Sequence, residues 1–310
     1  MKNIPIKLFT LAAWTMPVLA GANLHAETNP LPPQSAAPLE HSSLPVTYEV
    51  TLDSTYTFAG TARGAGTPHQ DSDAARIGFN VRSSVPIDER WRWDWGMGFQ
   101  AINLDAPEHA SFPDEIRTFT FNTGAGYRFN ERWFINGMVG ATLYRFDDVN
   151  GDAVGFNGGL LLNYRPNKDL AWTFGILVSP DSDLPAMPAI GMNWDLNEHW
   201  TLELGIPRTR LSYHLDPKWT IYTGPGMAGT TFRTSRHFGS KIGSPRYNNA
   251  LATYRDVRWG VGATFQISRQ MQFEAEAGES LYRCLDYTDD DKQVRFDPAP
   301  YVQGALTFRF

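Results

Sequence analysis

Apolar and polar residues alternate along this chain with a period of two. Trp91, Trp93, Trp95, Met97 and Phe99 fall on one face of a strand, and Arg92, Asp94, Gly96, Gly98 and Gln100 on the other. Phe119, Phe121, Ala125, Tyr127 and Phe129 alternate in the same way with Thr120, Asn122, Gly124, Gly126 and Arg128, and Val257 to Ile267 repeats the pattern. Successive side chains of a strand point to opposite faces, so each run is a strand with one apolar and one polar side. The runs outlast the usual strand of about five or six residues. They match the tilted strand of about 9–11 residues that crosses a membrane in a barrel.

The connections between the runs are of two kinds. IDERW, FNERW, RPNKDLAW, LNEHW, LDPKW and ISRQM are tight polar turns, and most lead into the next strand through tryptophan. Tryptophan favours the lipid–water interface, so Trp91, Trp133, Trp172, Trp200 and Trp219 are expected to form one aromatic girdle. The other connections are longer and more polar: Ala59 to Asp73, Asp105 to Glu115, Asp147 to Asp152, Ser179 to Asp183, Ser235 to Leu251 and Asp286 to Asp297. Short turns at one end and long loops at the other predict an all-β fold, a single transmembrane antiparallel up-and-down barrel of about 14 strands. The count turns on WTLELGIPRTRLSYHL, where two short strands meet at Pro207; if that stretch is irregular, about 12 strands remain.

The ends fit export to the bacterial outer membrane. Lys2 and Lys7 precede an apolar stretch from Leu8 to Leu19 and the small residues Ala20-Gly21-Ala22, so residues 1–22 read as a cleaved signal peptide, with Ala26 as the other cleavage position. Residues 23–45, rich in Pro and Ser, read as a disordered periplasmic segment with too little apolar surface to offset ordering. Residues 46–310 are then the barrel. The final run, YVQGALTFRF, alternates to its last residue. Phe308 and Phe310 resemble the C-terminal signal that the barrel-assembly machinery reads in outer-membrane proteins. A net charge of −6 argues against nucleic acid as a partner, and the lone Cys284 excludes an internal disulfide. The partners expected are outer-membrane lipid and lipopolysaccharide, the assembly machinery and a small solute.

The stretch from about Asn163 to Arg233 resembles an uncharacterised family of bacterial outer-membrane β-barrels, a domain of unknown function. The likeness is carried by PAIGMNW from Pro188, the LNEHW turn, LELGIPRTRLSYHL and DPKWTIYTG, most specifically by Pro207-Arg208 followed by Leu211-Ser212-Tyr213. The resemblance implies the barrel and assigns no activity or catalytic residue.

Function in such a barrel belongs to the lumen and the outer loops. Strand parity turns Arg76, Arg82, Arg92, Arg128, Arg165, Arg210, Arg258 and Arg309 inward, with Glu49, Asp53, Asp94, Asp195, Glu203, Asp256, Glu274 and Glu276. The two signs are equal in number, whereas a charge-selective pore shows an excess of one. The set reads either as ion pairs bridging the wall or as the mixed lining of a passive, porin-like channel for small solutes. A closed structural or ligand-binding barrel acting through its loops is the alternative. A hydrolase is the second: His214 faces inward near Ser212, but no nucleophile motif accompanies them.

Other motifs carry less. Gly224-Pro-Gly-Met-Ala-Gly229 spells a nucleotide-binding pattern but sits where Pro225 interrupts a strand rather than where a helix opens. Asp286, Asp289, Asp290 and Asp291 lack ligand spacing for calcium and read as a solvated acidic loop; Asp147 to Asp152 reads as a turn at Asn150-Gly151. Arg233, Arg236, His237, Lys241 and Arg246 read as a solvated loop, or as one folded inward or set against lipopolysaccharide. No cofactor and no metal are expected.

Overall fold

The computed structural model describes residues 46–310 except 65–66, 108, 147–150, 182–184 and 289–291. The signal peptide, the Pro/Ser-rich segment, Asp147 and Asp148, and the acids Asp289 to Asp291 lie outside the described residues. The strands are β1 (Thr47–Gly64), β2 (Thr67–Pro86), β3 (Trp91–Leu104), β4 (Glu115–Arg128), β5 (Trp133–Leu143), β6 (Val154–Asn167), β7 (Leu170–Val178) and β8 (Ala186–Asp195). They continue as β9 (Trp200–Leu204), β10 (Arg210–His214), β11 (Trp219–Arg233), β12 (Leu251–Ser268), β13 (Met271–Tyr287), β14 (Lys292–Phe296) and β15 (Ala299–Arg309). Consecutive strands pair antiparallel, except that β14 and β15 do not pair with each other. β14 and β15 both lie between β13 and β1, as two halves of one strand broken at Asp297-Pro298, so the closed barrel has 14 strands. Proline offers no N–H to a ladder, which suits that break.

Closure joins the first strand to the last. The register runs from Glu49↔Arg309 to Thr57↔Tyr301. Beyond it, Tyr48 N donates to Phe310 O at 3.0 Å and Phe310 N to Tyr48 O at 2.9 Å. This seam leaves neither terminal strand with a free edge in the hydrocarbon core.

The outward face is apolar around the barrel: Leu52, Phe79, Phe121, Phe174, Ile190, Phe273 and Val302 are all exposed. A water-soluble domain does not present such a continuous band. Among the described residues no helix is long and apolar enough to cross a membrane.

The tight turns share one device. Asp88 accepts the backbone N–H groups of Arg90 and Trp91, both at 2.7 Å. Asn130 does the same for Arg132 and Trp133, Asn197 for His199 and Trp200, and Asp216 for Lys218 and Trp219. The side-chain oxygen thereby satisfies two donors that the reversing backbone leaves unpaired. Each tryptophan then lies against an aromatic ring directly opposite on the next strand: Trp91 on Tyr127, Trp133 on Tyr164, Trp200 on Tyr213 and Trp219 on Phe265, with centroids 4.3–4.8 Å apart. Such cross-strand pairs contribute about 0.5–1.5 kcal/mol beyond their burial.

The bonds from Trp91 N–H, and then from Arg90 N–H, hold the Asp88 carboxyl below its ordinary range. A depressed carboxyl stabilises the fold above its unfolded pKa, and the contribution is lost as pH falls through the folded value. Asp88→Asn should keep the turn, as Asn130 does, and remove its acid sensitivity. Urea midpoints of the two proteins at about pH 7 and about pH 3 check this: the wild type should lose more on acidification.

Three segments depart from the sequence expectation, one being Asp286 to Asp297, a connection in the sequence that holds strand β14. Ala59 to Gly64 and Thr67 to Asp73 are strand rather than loop: β1 and β2 stay paired out to Gly64↔Thr67, and Thr61 donates to Asp71 at 2.9 Å. These residues are polar because the hairpin rises past the apolar band. β11 runs unbroken through Pro225, which stands opposite Trp259 of β12.

Candidate functional site

From the turn end up to the base of the outer core the lumen is polar, and most of its carboxylates are paired. Arg76 meets Asp53 at 2.8 Å, Arg92 meets Asp94 at 3.0 Å, and Arg309 meets Glu49 at 3.0 Å. Arg210 bridges Glu274 at 2.6 Å and Glu276 at 3.3 Å, with its guanidinium stacked on the Tyr222 ring. Asp256 is wholly buried and accepts from Arg258 at 2.8 Å and from Ser280 at 2.6 Å. Desolvated charges persist only when matched in this way.

The remaining expected lumen residues are arranged differently. Asp195 accepts from Thr201 at 2.8 Å. Glu203 stands opposite Arg210 in the ladder, and Arg128 is exposed at the turn end. Arg165 is half-buried, and Arg82 has a partner of its own. His214 sits between two threonines, with Nε2 3.0 Å from Thr201 and Nδ1 3.0 Å from Thr220. Both ring nitrogens are thus engaged by residues other than Ser212. Parity reasoning passed over Arg208, which reaches Glu274 at 3.6 Å from the break between β9 and β10.

The outer mouth is filled. Ile102, Phe112, Ile116, Phe232, Leu285, Val294 and Phe296 pack with Tyr247 and Ala250 into a continuous apolar core. Phe112 comes from the segment between β3 and β4 and stands edge-on to Phe296 at 5.3 Å. Tyr247 comes from the segment between β11 and β12, which includes the short helix α1 (Phe238–Lys241), and is fully buried against Tyr287 at 4.5 Å. The segment from Arg233 to Arg246, read as a solvated loop, is therefore tied to the plug. Its tyrosine and alanines lie just outside the basic run that drew attention in the sequence.

The wall has unequal height. β9 and β10 hold five residues each, about half of what a membrane-crossing strand requires. β9 pairs with β8 only from Met192 to Asp195, and β10 with β11 only from Leu211 to His214. The Gly205–Thr209 tip holds on to β11 through Thr209 N to Pro225 O at 3.0 Å and Met227 N to Pro207 O at 2.8 Å. Above the tip, β8 from Ala186 to Gly191 has no strand on its β9 side. The outer end of β11 leans to the opposite wall: Thr230 meets Thr118 of β4 at 3.3 Å, and Arg233 N points to Tyr144 O at 3.4 Å. β9 and β10 thus form a low stretch of wall beside the plug, and the gap above it, between β8 and β11, is a notch. Pro188, Pro207 and Pro225 stand around this notch, where missing N–H groups cost a ladder least.

The inward face of β5 to β8 bordering the notch carries no charge above Arg165 and Asp195. It presents Met138, Thr142, Asn157, Leu161, Leu177 and Met187. The lumen therefore has a charged side, where the carboxylates meet arginines and buried Arg283 donates to Ser72 O with no carboxylate partner among the described residues, and a neutral side that borders the notch. Among the described residues no cluster of His, Cys, Asp and Glu has the makings of a metal site.

Comparison with solved structures returns outer-membrane channels. A Pseudomonas aeruginosa FadL homologue matches with 11% identity and a TM-score of 0.44, over 86% of this chain and 90% of that one. The P. putida toluene transporter TodX matches with 11% identity and a TM-score of 0.43, over 85% and 89%. An outer membrane channel from Pseudomonas putida F1 matches with 11% identity and a TM-score of 0.46, over 89% and 100%. No curated protein matches the sequence. A family model, Domain of unknown function (DUF6268), matches residues 49–309. That span takes in the whole barrel, and the chain belongs to this family of uncharacterised outer-membrane β-barrels.

Proposed function

We propose that this barrel is a passive channel for small uncharged solutes, which pass beside the plug through the notch rather than along the barrel axis. The half-height β9–β10 hairpin carries this reading, because it leaves the neutral face of β5 to β8 open to one side. An axial route meets the packed apolar core of the outer mouth. Most of the lumen carboxylates are held in ion pairs, which leaves few charges free to draw an ion through. The neutral face, by contrast, offers amide and hydroxyl groups among apolar side chains, which suits solutes without charge.

Gly226 gives a direct test. It bridges to Arg208 at the notch, and a Cβ placed on it meets nothing within 4 Å. Liposomes holding the purified protein should swell in erythritol faster than empty ones. Gly226→Trp should slow that swelling on the order of tenfold by filling the route, and Gly226→Ala should leave it near the wild-type rate. Protein with the heat-modifiable gel mobility of a folded barrel that gives no swelling above empty liposomes would refute the channel.

A further inference from the structure

We infer that Asn122, Gly140 and Asn157 form a hydrogen-bonding cradle for the hydroxyl or amine of a small uncharged solute with an apolar body. The inference rests on the channel reading and adds the class of solute. The three residues share one level of the ladder, with Asn122 opposite Gly140 and Gly140 opposite Asn157. Their parity is that of the inward face. Because Gly140 has no side chain, the amide oxygens of its neighbours close over it. Asn122 Oδ1 lies 2.0 Å, and Asn157 Oδ1 2.7 Å, from where a Cβ on Gly140 would stand. Both oxygens are buried, and neither has a hydrogen-bond partner in the structure. Asn122 as a whole is only 8% exposed.

Buried amide oxygens without donors are uncommon and unfavourable, and two aimed at one point are satisfied by a donor between them, from a solute or from the Asn122 amide turned over. The orientation of Asn157 is held from behind. Its Nδ2 donates to Thr142 Oγ1 at 3.4 Å, and that hydroxyl meets Thr120 Oγ1 at 3.1 Å. Two neutral oxygens and no carboxylate are a poor set for a hard cation, which takes six or more oxygens, commonly charged. A carboxylate or ketone would bring further acceptors against these and be rejected. A hydroxyl or amine brings the proton that both oxygens lack.

An apolar surface adjoins the cradle at the next inward step of β6. A Cβ on Gly159 would stand 2.8 Å from Leu177 Cδ2 and 3.8 Å from Met138 Cγ, and one on Gly175 would stand 2.5 Å from Leu161 Cδ2. The two glycines let Leu177, Met138 and Leu161 lie flat against the wall. Met187 continues this surface, opposite Leu177 in the ladder, toward the notch. A solute entering over the low wall thus slides its body along methionine and leucine and places its polar end between the two amides.

Cyclohexanol and cyclohexyl methyl ether separate the donor from everything else, since both carry a ring and an oxygen and only the alcohol has a proton to give. Titration calorimetry on the full barrel in detergent should show the alcohol bound about tenfold more tightly. Gly140→Ala puts a carbon where the oxygens converge, and Asn122→Leu removes one of them. Both should abolish the preference and leave ether affinity within about twofold, with heat-modifiable mobility certifying the fold. Equal binding of the two probes by the wild type, as when a trapped water satisfies the cradle, would overturn the inference. So would a preference that survives in either folded variant. Erythritol flux is read separately: a preference without flux sinks the channel and keeps the cradle, and flux without a preference does the reverse.

Discussion

Asp256→Ala should destabilise the barrel by about 3–5 kcal/mol. Its carboxylate is wholly buried and holds both Arg258 and Ser280, while Arg258 is itself only 6% exposed. Removing the acid leaves a guanidinium in a poorly solvated interior with Gln303 Oε1, 3.1 Å away, as its remaining side-chain acceptor. The same substitution made together with Arg258→Met should recover most of the loss, because replacing a buried pair by apolar groups is often close to neutral. Urea midpoints followed by gel mobility give both numbers. A single variant within about 1 kcal/mol of wild type would mean that water reaches Arg258 and that this side of the lumen is wet.

Emptying the plug should open the axis. Phe112→Ala combined with Tyr247→Ala removes two of the largest fully buried side chains of the outer core, one from each inward segment. Each truncation in a packed core costs about 3–5 kcal/mol. The loss falls on the outer core and leaves the strand ladders of the membrane band in place. Planar-bilayer recordings should change from small or unresolved events to steps larger on the order of tenfold, as expected when an apolar constriction is removed. Unchanged conductance from a folded double variant would mean that the plug is not what blocks the axis.

The barrel itself was legible because its determinants are local. Alternation placed the strands, the turns ahead of Trp91, Trp133, Trp200 and Trp219 set their spacing, and the count of 14 followed even through the doubtful Pro207 stretch. The acceptor in each tight turn was also in plain view, as Asp or Asn three residues before the tryptophan. Recognising it needed only the observation that the reversing backbone lacks partners. Which inward charges meet was not legible. Arg210 and Glu274 lie on strands that do not adjoin, and parity gives a residue's face but not its height or its reach across the lumen. The plug was hidden for a related reason. Phe112 and Tyr247 sit in irregular segments with no period to mark them as buried, and they join a core only because the segments fold back. The cradle at Gly140 was hidden too, since two asparagines 35 positions apart in the chain carry no shared signal until three strands are in register.

The low wall also bears on the bilayer that surrounds the barrel. β1 and β2 cross the apolar band in full and rise past it, while β9 and β10 run only five residues, so the apolar girth is complete on one flank and shallow on the other. A bilayer meeting a shallow flank thins or tilts to match it, at a fraction of a kcal/mol per Å of mismatch. The membrane around this protein is therefore expected to dip on one side only. Two such barrels brought flank to flank would share a single dip, so the lipid itself would give neighbouring copies a preferred way to face each other.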